Sequence, residues 1–456
     1  MNSPTAHTAR FIATAQVPAV VREKARKIFA DTFGVILSGA GSEVAPALLD
    51  YARRQAGSRD AAILGTPLRS TASIAALVNG TFGHALDFDD GIVLAPVHPS
   101  SVVVSALLSA ASGLSGRQML DAYAVGVEVA VKLAAAIGID HYHRGWHGTG
   151  TIGVFGAVAA LSHARKLDPD VTQIAFGIAT SMCSGVQRNF GTMTKPLHTG
   201  WAAHNGVIAV DLAQSGFSAA TDALEAKSGF FQVYGTERSR PELLKGLGSP
   251  WAIDDPGMSL KRFACCYASH RPMVGLLTLR GELGLDAQNV DTVQCFLAPG
   301  SLRALIYPRP TTGLEGKFSL EYALAAGVLD GKYNLRSFSD DAVSRPAIQA
   351  LLSKITVAED PRCAAGDPHA ETRGPSRRGF VEVHARTHDG RHAMQRIDPL
   401  PGSPDQPLSW NDIREKFMDC SSTTTLAPGR AQQAFDLLFD IESCDRIEKI
   451  INLLQP

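Results

Sequence analysis

The chain has 456 residues, of which 45% are hydrophobic and 19% are charged, and its formal net charge is −1. This length exceeds what one compact core usually holds, so we expect two domains or more. The composition is typical of a folded globular protein and excludes a disordered chain. A net charge so close to zero gives no electrostatic basis for binding nucleic acid or an anionic membrane.

Cysteine usage and the N-terminal residues indicate the compartment. The seven cysteines are an odd number, and they include no CxxC pair. Adjacent Cys265 and Cys266 make a poor disulfide framework, so we expect reduced thiols and a cytoplasmic protein. The first residues lack the charged and apolar regions of a signal peptide, and no apolar run is long enough to span a membrane.

The first 250 residues predict a succession of helices. Apolar residues recur at three- and four-residue spacings over 17–37, and similar patterns follow at 45–55, 71–82, 102–114 and 120–139. Many of these segments are rich in alanine and glycine, which lets helices approach closely. We therefore expect a tightly packed all-helical domain.

The pattern changes near Pro250. Alternating and β-branched residues predict strands at 292–297 and 380–385, and the second is followed by a hairpin signal at 387–390 and a return strand at 391–397. Segments 318–329 and 342–352 are typical of helices, and 361–378 is typical of an exposed loop. These features together predict an α+β module.

After a Pro- and Gly-containing linker at 400–404, helical patterns return. Ser409 stands three residues before Asp412, as at the start of a capped helix. We predict that these last helices rejoin the first domain. The fold class is then mainly α, with an all-helical domain of residues 1–262 and 404–456 and an inserted α+β lid domain of residues 263–403.

An acidic stretch with the sequence GHALDFDD, shortly followed by HPS, places three aspartates and two histidines near one another in the chain. Such groups are costly to bury unless each finds a partner. Two interpretations remain open at this point. The polar residues cap the next helix, with Ser100 as its N-cap, or they line a polar cavity.

A second polar stretch, HYHRGWHGTG at 141–150, carries three histidines whose spacing does not share one helix face. We therefore disfavour a metal site there. Glycines at 148, 150 and 153 imitate a dinucleotide fingerprint, but they follow no predicted strand. We interpret them as sites of close helix packing.

Three further clusters could do chemistry. Lys195 lies among glycines and threonines that could surround a carboxylate, with Lys195 as counter-charge, although a solvated loop is the alternative. His270 is a potential acid or base, whereas its neighbours Cys265 and Cys266 are more typical of buried apolar positions. Residues 317–322 could equally be a capped helix start with a half-buried Tyr322.

The motifs HALDFDD with HPS, GWH, GTMTKPLHTGWAAHNG, CCYASH and KFSLEYALA occur in this order over essentially the whole chain. Together they resemble the motifs of the MmgE/PrpD family. The resemblance implies a helical domain formed by both chain ends, an inserted α+β lid and a homodimer. It also implies an active site in the cleft between the domains that uses no metal and no organic cofactor.

The resemblance implies a set of site residues. The expected catalytic residues are Asp87, His98, His147, Lys195 and His270. The expected substrate-binding residues are Thr194, His198, Tyr267, Lys317 and Tyr322. Our hypothesis is that Lys195 and one histidine flank the reacting carbon while Asp87 orients or tunes His98.

Family members act on small di- or tricarboxylates through a carbanion next to a carboxylate. Gly91 stands where decarboxylase- and dehydratase-type members often have threonine, and Tyr267 stands where dehydratase-type members often have arginine. The run at 250–272 is most similar to the iminodisuccinate epimerase branch. An epimerase is therefore the favoured prediction. The alternatives are a lyase, of the cis-aconitate decarboxylase or 2-methylcitrate dehydratase type, and a catalytically inactive binding homologue. An iron–sulfur hydratase would need a cysteine spacing that this chain lacks.

Overall fold

A computed structural model of the chain describes residues 3–92, 95–367, 378–398 and 402–456. The chain divides into two compact units, one of Met1–Arg188, Thr194–Leu260 and Leu408–Pro456, the other of Asn189–Met193 and Lys261–Pro407. The predicted mainly α fold, with a sheet-containing unit in the C-terminal region, is confirmed. We propose that the two units are the two predicted domains. Parts of the predicted loop and linker, at 368–377 and 400–401, lie outside the described residues.

The N-terminal part of the first unit is helical, with two short antiparallel strand pairs. Its helices are α1 Pro4–Thr14, α2 Ala19–Ala40, α3 Ala45–Arg53, α4 Ala72–Ala85, α5 Pro99–Ser109, α6 Gly116–Ile137, α7 Asp140–His143, α8 Gly148–Ala164, α9 Pro169–Thr180, α10 Thr194–Gln214 and α11 Phe230–Tyr234. Its strands are β1 Ala61–Ala62, β2 Arg69–Ser70, β3 Gly91–Ile92 and β4 Met258–Ser259, with β1 paired to β2 and β3 to β4.

The second unit packs helices and a four-stranded sheet around its own hydrophobic core. Its elements in chain order are α12 His270–Leu283, β5 Val290–Leu297, α13 Gly313–Gly316, α14 Leu320–Asp330, α15 Asp340–Val343, α16 Pro346–Leu351, β6 Ile355–Glu359, β7 Val381–Thr387 and β8 His392–Ile397. The strand order is β6-β5-β7-β8, in which β5 and β6 are parallel and the other pairs are antiparallel.

The chain then returns to the first unit with α17 Trp410–Ser421, α18 Pro428–Phe439 and α19 Glu448–Leu453. Ser409 and Asp412 form a reciprocal capping box at the start of α17, as predicted. Apolar residues of α17 and α18, among them Phe417 and Phe435, join the same core as Phe29 and Phe33 of α2. This shared core is why both chain ends belong to one unit.

Two glycines allow α4 and α10 to cross at backbone contact. A Cβ built on Gly200 would lie 2.1 Å from the carbonyl oxygen of Leu77 and 2.2 Å from Oγ1 of Thr81. A Cβ on Gly80 would lie 2.7 Å from the Cα of Gly200. No larger side chain fits there without parting the helices. The crossing brings the last turn of α4 close to the first turn of α10.

The glycines of α8 also serve close packing, as the sequence predicted. A Cβ on Gly150 would lie 2.3 Å from the Ser184 carbonyl oxygen, and one on Gly153 would meet Val102 of α5 at 2.9 Å. α8 is therefore a core helix, and its glycines let neighbouring segments pack closely against it.

Among the described residues, no single helix is long and apolar enough to cross a membrane. α2 and α3 together have the length and composition of a span, but they are bent by 87° at the break between them.

Candidate functional site

The acidic stretch forms a tight buried turn after α4. The helix ends at Ala85, and Asp87 then adopts a left-handed conformation with φ of 51°, which aspartate tolerates better than most residues. Asp87, Asp89 and Asp90 are all buried. The turn therefore directs three carboxylates inward, where each needs a partner.

Lys195, at the start of α10, is the partner of Asp87. It is only 4% exposed, and its Nζ forms a buried ion pair with Oδ1 of Asp87. The same Nζ lies 2.8 Å from Nε2 of His84, in the last turn of α4. The glycine crossing of α4 and α10 makes this meeting possible, because it brings together two residues that are 111 positions apart in the chain.

His84 lies between Lys195 and a second carboxylate. Its Nδ1 is 2.9 Å from both oxygens of Asp89, and the hydroxyl of Ser101 donates to the same carboxylate at 3.0 Å. Burial lowers the pKa of His84, although the charge of Asp89 opposes this. A neutral ring that donates from Nδ1 to Asp89 presents the lone pair of Nε2 to Lys195.

His98 is the N-cap residue of α5, and its ring centroid lies 4.7 Å from that of His84. Its Nδ1 contacts the backbone carbonyl of Asp90 and lies 3.6 Å from Oδ1 of Asp89. These contacts favour Asp89 and the Asp90 carbonyl, rather than Asp87, as the groups that orient His98. We assign that role to Asp89 and the Asp90 carbonyl, and we assign Asp87 to Lys195.

Asp90 belongs to a separate hydrogen-bond chain. Its carboxyl accepts from the backbone N–H of Ser100 at 3.3 Å and from the Ser100 hydroxyl, which also lies 2.6 Å from the hydroxyl of Tyr123. Burial, together with the neighbouring charge of Asp89, raises the pKa of Asp90 to about 8. The cavity interpretation fits Asp87 and Asp89, which face basic side chains. The capping interpretation is wrong about Ser100, because the N-cap residue of α5 is His98, although Asp90 does accept from the Ser100 N–H in the first turn.

Asp90→Asn should change how stability depends on pH. Between the ordinary carboxyl pKa of 3.8 and about 8, the folded protein retains a proton on Asp90 that the unfolded chain has released. The contribution of this proton to stability is complete below about pH 3.8. It falls progressively as the pH rises and is fully lost above about 8. The amide of the variant imitates the protonated carboxyl without titrating. We expect the variant to gain about 1.4 kcal/mol per pH unit relative to wild type between about pH 5 and 7.5.

Urea denaturation at several pH values measures this difference. A stability difference between the two proteins that stays constant over the range would contradict the protonated state assigned to Asp90.

His147 and His198 form a second imidazole pair in the same unit. Their Nδ1 atoms lie 3.0 Å apart, and the ring of His147 also stacks on His84 with centroids 5.7 Å apart. Burial, followed by the charge of Lys195, holds the pKa of His147 well below its usual value. Burial lowers the pKa of His198 to about 4. Both rings are therefore neutral near pH 7 and can donate or accept without carrying charge.

Three helices begin at this cluster. His98 is the N-cap residue of α5, His147 is the N-cap residue of α8, and Lys195 is the second residue of α10, after half-buried Thr194. Helix N-termini carry partial positive charge and backbone N–H donors. These helix N-termini and Lys195 are groups that can bind an anion, and they lie beside the negative charges of Asp87 and Asp89.

Lys416 of α17 supports the acidic turn from behind. Its Nζ lies 2.9 Å from Oδ1 of Asp31 on α2, donates to the backbone carbonyl of Phe88 at 2.9 Å, and sits 3.8 Å from the centroid of the Phe88 ring. Phe88 stands between Asp87 and Asp89 in the chain, so these contacts anchor the backbone of the acidic turn.

The remaining predicted residues lie in the second unit. His270 is fully buried, with Nε2 3.2 Å from the carbonyl oxygen of Cys265, and its ring lies 5.1 Å from that of half-buried Tyr267. Lys317 is buried beside them, since its carbonyl accepts from the backbone N–H of Cys266 at 3.0 Å. These three predicted residues are thus close together within their unit.

Tyr322 requires a correction. It is fully buried rather than half-buried, and its hydroxyl donates to the carbonyl of Ser337 inside the core of the second unit. The capped helix start was predicted, and the Ser319 hydroxyl does accept from the backbone N–H of Tyr322. We therefore assign Tyr322 a packing role instead of substrate binding.

Sequence reasoning overlooked His84 and Asp89 as individual site residues. Both were present in the acidic motif, but only the turn geometry shows which side chain each one meets. Among the described residues, His84, Asp89 and His98 could also hold a metal ion, because their donor atoms lie within 4.8 Å of one another. Hydrogen bonds already engage those atoms, and the adjacent Lys195 ammonium would oppose a cation.

Two family models together match most of the chain. The model of the MmgE/PrpD N-terminal domain matches residues 6–242, and that of the MmgE/PrpD C-terminal domain matches residues 263–440. The chain belongs to the MmgE/PrpD family. The predicted membership and the prediction of an MmgE/PrpD-type enzyme are both confirmed.

Several relatives within the MmgE/PrpD family have assigned activities. The chain is 26% identical to cis-aconitate decarboxylase of Homo sapiens, over 95% of this chain and 90% of the relative. It is 28% identical to cis-aconitate decarboxylase of Mus musculus, over 95% and 89%. It is 27% identical to cis-aconitate decarboxylase of Aspergillus terreus, over 100% and 96%. These relatives give no support to the epimerase branch that the sequence favoured.

Proposed function

We propose that the protein is a lyase that decarboxylates a small unsaturated tricarboxylate of the cis-aconitate type. The observation that carries this proposal is the buried contact of Lys195 with Asp87 and His84, at a cluster where three helices begin. The similarity to three cis-aconitate decarboxylases over nearly their whole length supports the choice of reaction. The proposal replaces the epimerase that the sequence favoured with its lyase alternative.

The electrostatics of the cluster suit a polycarboxylate. The Lys195 ammonium and the helix N-termini supply positive charge. In the neutral His147–His198 pair one Nδ1–H donates to the other Nδ1, which leaves one Nε2–H as a further donor. An imidazole that is neutral in the empty site can also gain a proton when a carboxylate binds beside it. We propose that the substrate carboxylates are held by these groups.

The chemistry requires one proton in each turnover. In cis-aconitate, a CH2–carboxylate adjoins a carbon–carbon double bond that bears the other two carboxylates. When CO2 leaves, the electron pair of the broken bond forms a new double bond, and the original double bond becomes a carbanion next to a carboxylate. One proton must then be added to that carbon, giving 2-methylenesuccinate.

We propose Lys195 as the donor of this proton. An ammonium group stabilises the developing negative charge before it transfers the proton, which a neutral donor does less well. The rings of His98 and His147 each lie against the ring of His84, which contacts Lys195. We propose that His98 and His147 position the substrate carboxylates. In the second unit, His270 remains a proposed site residue because it matches a family motif. Tyr267 and Lys317 remain proposed because they lie close to it. No metal or organic cofactor has a role in this scheme.

Proton NMR in D2O tests the reaction directly. With cis-aconitate as substrate, we expect the product to carry one deuterium on its saturated methylene carbon and none on its =CH2 carbon. Methylcitrate and iminodisuccinate are assayed in parallel. Turnover of iminodisuccinate without turnover of cis-aconitate would contradict the proposal and favour an epimerase.

Two variants control this assay. Lys195→Met should lower the rate on cis-aconitate by about 10³-fold. Lys449→Met changes an exposed lysine of α19, paired with Asp445, and should leave the rate unchanged. Tight binding of cis-aconitate by wild type without product formation would instead indicate an inactive binding homologue.

A further inference from the structure

We propose that His84, held by Asp89, is a positioning residue that orients the ammonium group of Lys195 toward the substrate. This inference deepens the proposed function and rests on it. It concerns a residue that is separate from the catalytic set that the sequence predicted.

The orientation follows from tetrahedral geometry. Two N–H groups of Lys195 point at fixed acceptors, one at Oδ1 of Asp87 and one at Nε2 of His84, the latter at 2.8 Å. When two directions of an ammonium group are set, the direction of its third N–H is set as well. A lysine side chain otherwise has several rotatable bonds, and holding it in one arrangement lowers the cost of reaching the reactive geometry.

Asp89 is what makes His84 an acceptor. Both oxygens of Asp89 lie 2.9 Å from Nδ1, so the ring proton is held there and Nε2 keeps its lone pair. Ser101 donates to the same carboxylate and steadies it. Without Asp89, the ring could carry its proton on Nε2. Nε2 would then be a donor facing the Lys195 ammonium, which is itself a donor, and the hydrogen bond would be lost.

A neutral acceptor has an advantage over a second carboxylate here. The substrate of the proposed reaction is a polyanion, and another negative charge beside Lys195 would repel it and would hold the ammonium proton more tightly. The imidazole ring accepts a hydrogen bond while it keeps the charge of Asp89 one ring away. His84 therefore directs Lys195 at little electrostatic cost.

Two amide substitutions separate the contacts of His84. In His84→Gln, the longer side chain carries its amide to the place of Nε2, where it can accept from Lys195. In His84→Asn, the shorter side chain carries its amide to the place of Nδ1 and keeps only the contact with Asp89. We expect His84→Gln to retain kcat within about 10-fold of wild type. We expect His84→Asn to lower kcat by about 100-fold, with KM nearly unchanged, because the ammonium group is misplaced.

If kcat fell equally in the two variants at matched thermal stability, the inference would be overturned and His84 would have only a packing role. An unimpaired His84→Asn variant would overturn it as well. Both results differ from failure of the proposed function, in which wild type itself does not decarboxylate cis-aconitate.

A measurement of folding tests the contact independently of activity. Melting temperatures are compared for His84→Gln and His84→Asn, each with and without Lys195→Met. We expect the effect of Lys195→Met in the His84→Gln background to match that in wild type and to be smaller in the His84→Asn background. The same effect of Lys195→Met in all three backgrounds would show that position 84 does not hold Lys195, and the inference would fall.

Discussion

Lys195→Met should abolish turnover, and pairing it with Asp87→Asn should restore a stable fold without restoring activity. We expect kcat to fall by about 10³-fold or more, because the proposed proton donor and the charge beside the carbanion are both removed. Steady-state assays on cis-aconitate give the loss. Retention of more than a tenth of wild-type turnover would rule out Lys195 as the donor.

The single variant should also be less stable, for a reason unrelated to catalysis. Asp87 is buried, and without Lys195 its carboxylate loses the partner of a buried ion pair. Breaking such a pair typically costs about 3–5 kcal/mol. The Asp87→Asn change removes the remaining charge, and asparagine accepts the left-handed φ of 51° that the turn requires. Denaturant unfolding of the single and double variants separates this effect from the loss of turnover.

Gly200→Ala should affect both folding and catalysis. The added methyl would lie 2.1 Å from the carbonyl oxygen of Leu77, which belongs to helix backbone and cannot simply rotate away. Overpacking of this kind costs about 1–3 kcal/mol or more, and the better helix propensity of alanine returns only about 1 kcal/mol. We also expect a fall in kcat of at least about 10-fold, since parting α4 from α10 separates His84 from Lys195.

Gly429→Ala is the matched control for this substitution. Gly429 lies in α18, and a Cβ built on it meets nothing within 4 Å. The control should gain up to about 1 kcal/mol in the free energy of unfolding and keep wild-type turnover. If Gly200→Ala behaved like the control, the close crossing would not be what brings His84 to Lys195.

Much of the fold could be predicted because its signals are local. The apolar spacing at 17–37 predicts α2, observed as Ala19–Ala40, and the Ser409 signal predicts the start of α17. Strand β6 was missed because it has only five residues and pairs in parallel with β5, so no hairpin turn in the sequence indicates it. The helix predicted at 342–352 is divided because Pro346 begins a new helix.

The site could be predicted as a set of residues but not as a set of contacts. The sequence shows that three aspartates and two histidines lie near one another, yet a left-handed residue at Asp87 decides which carboxylate faces Lys195. The pairing of His84 with Lys195 depends on where α4 and α10 cross. No local sequence pattern predicts which helix the glycines at that crossing pack against. Contacts of this kind follow from tertiary packing rather than from local preference.

The contact of Lys416 with Phe88 and Asp31 has a consequence for biosynthesis. The acidic turn is made early in translation, but a side chain that restrains it comes 328 residues after Phe88. A ribosome that has completed only the N-terminal helices has therefore released a turn that still lacks one of its supports. We therefore expect the acidic turn to take its final form only after α17 has emerged from the exit tunnel.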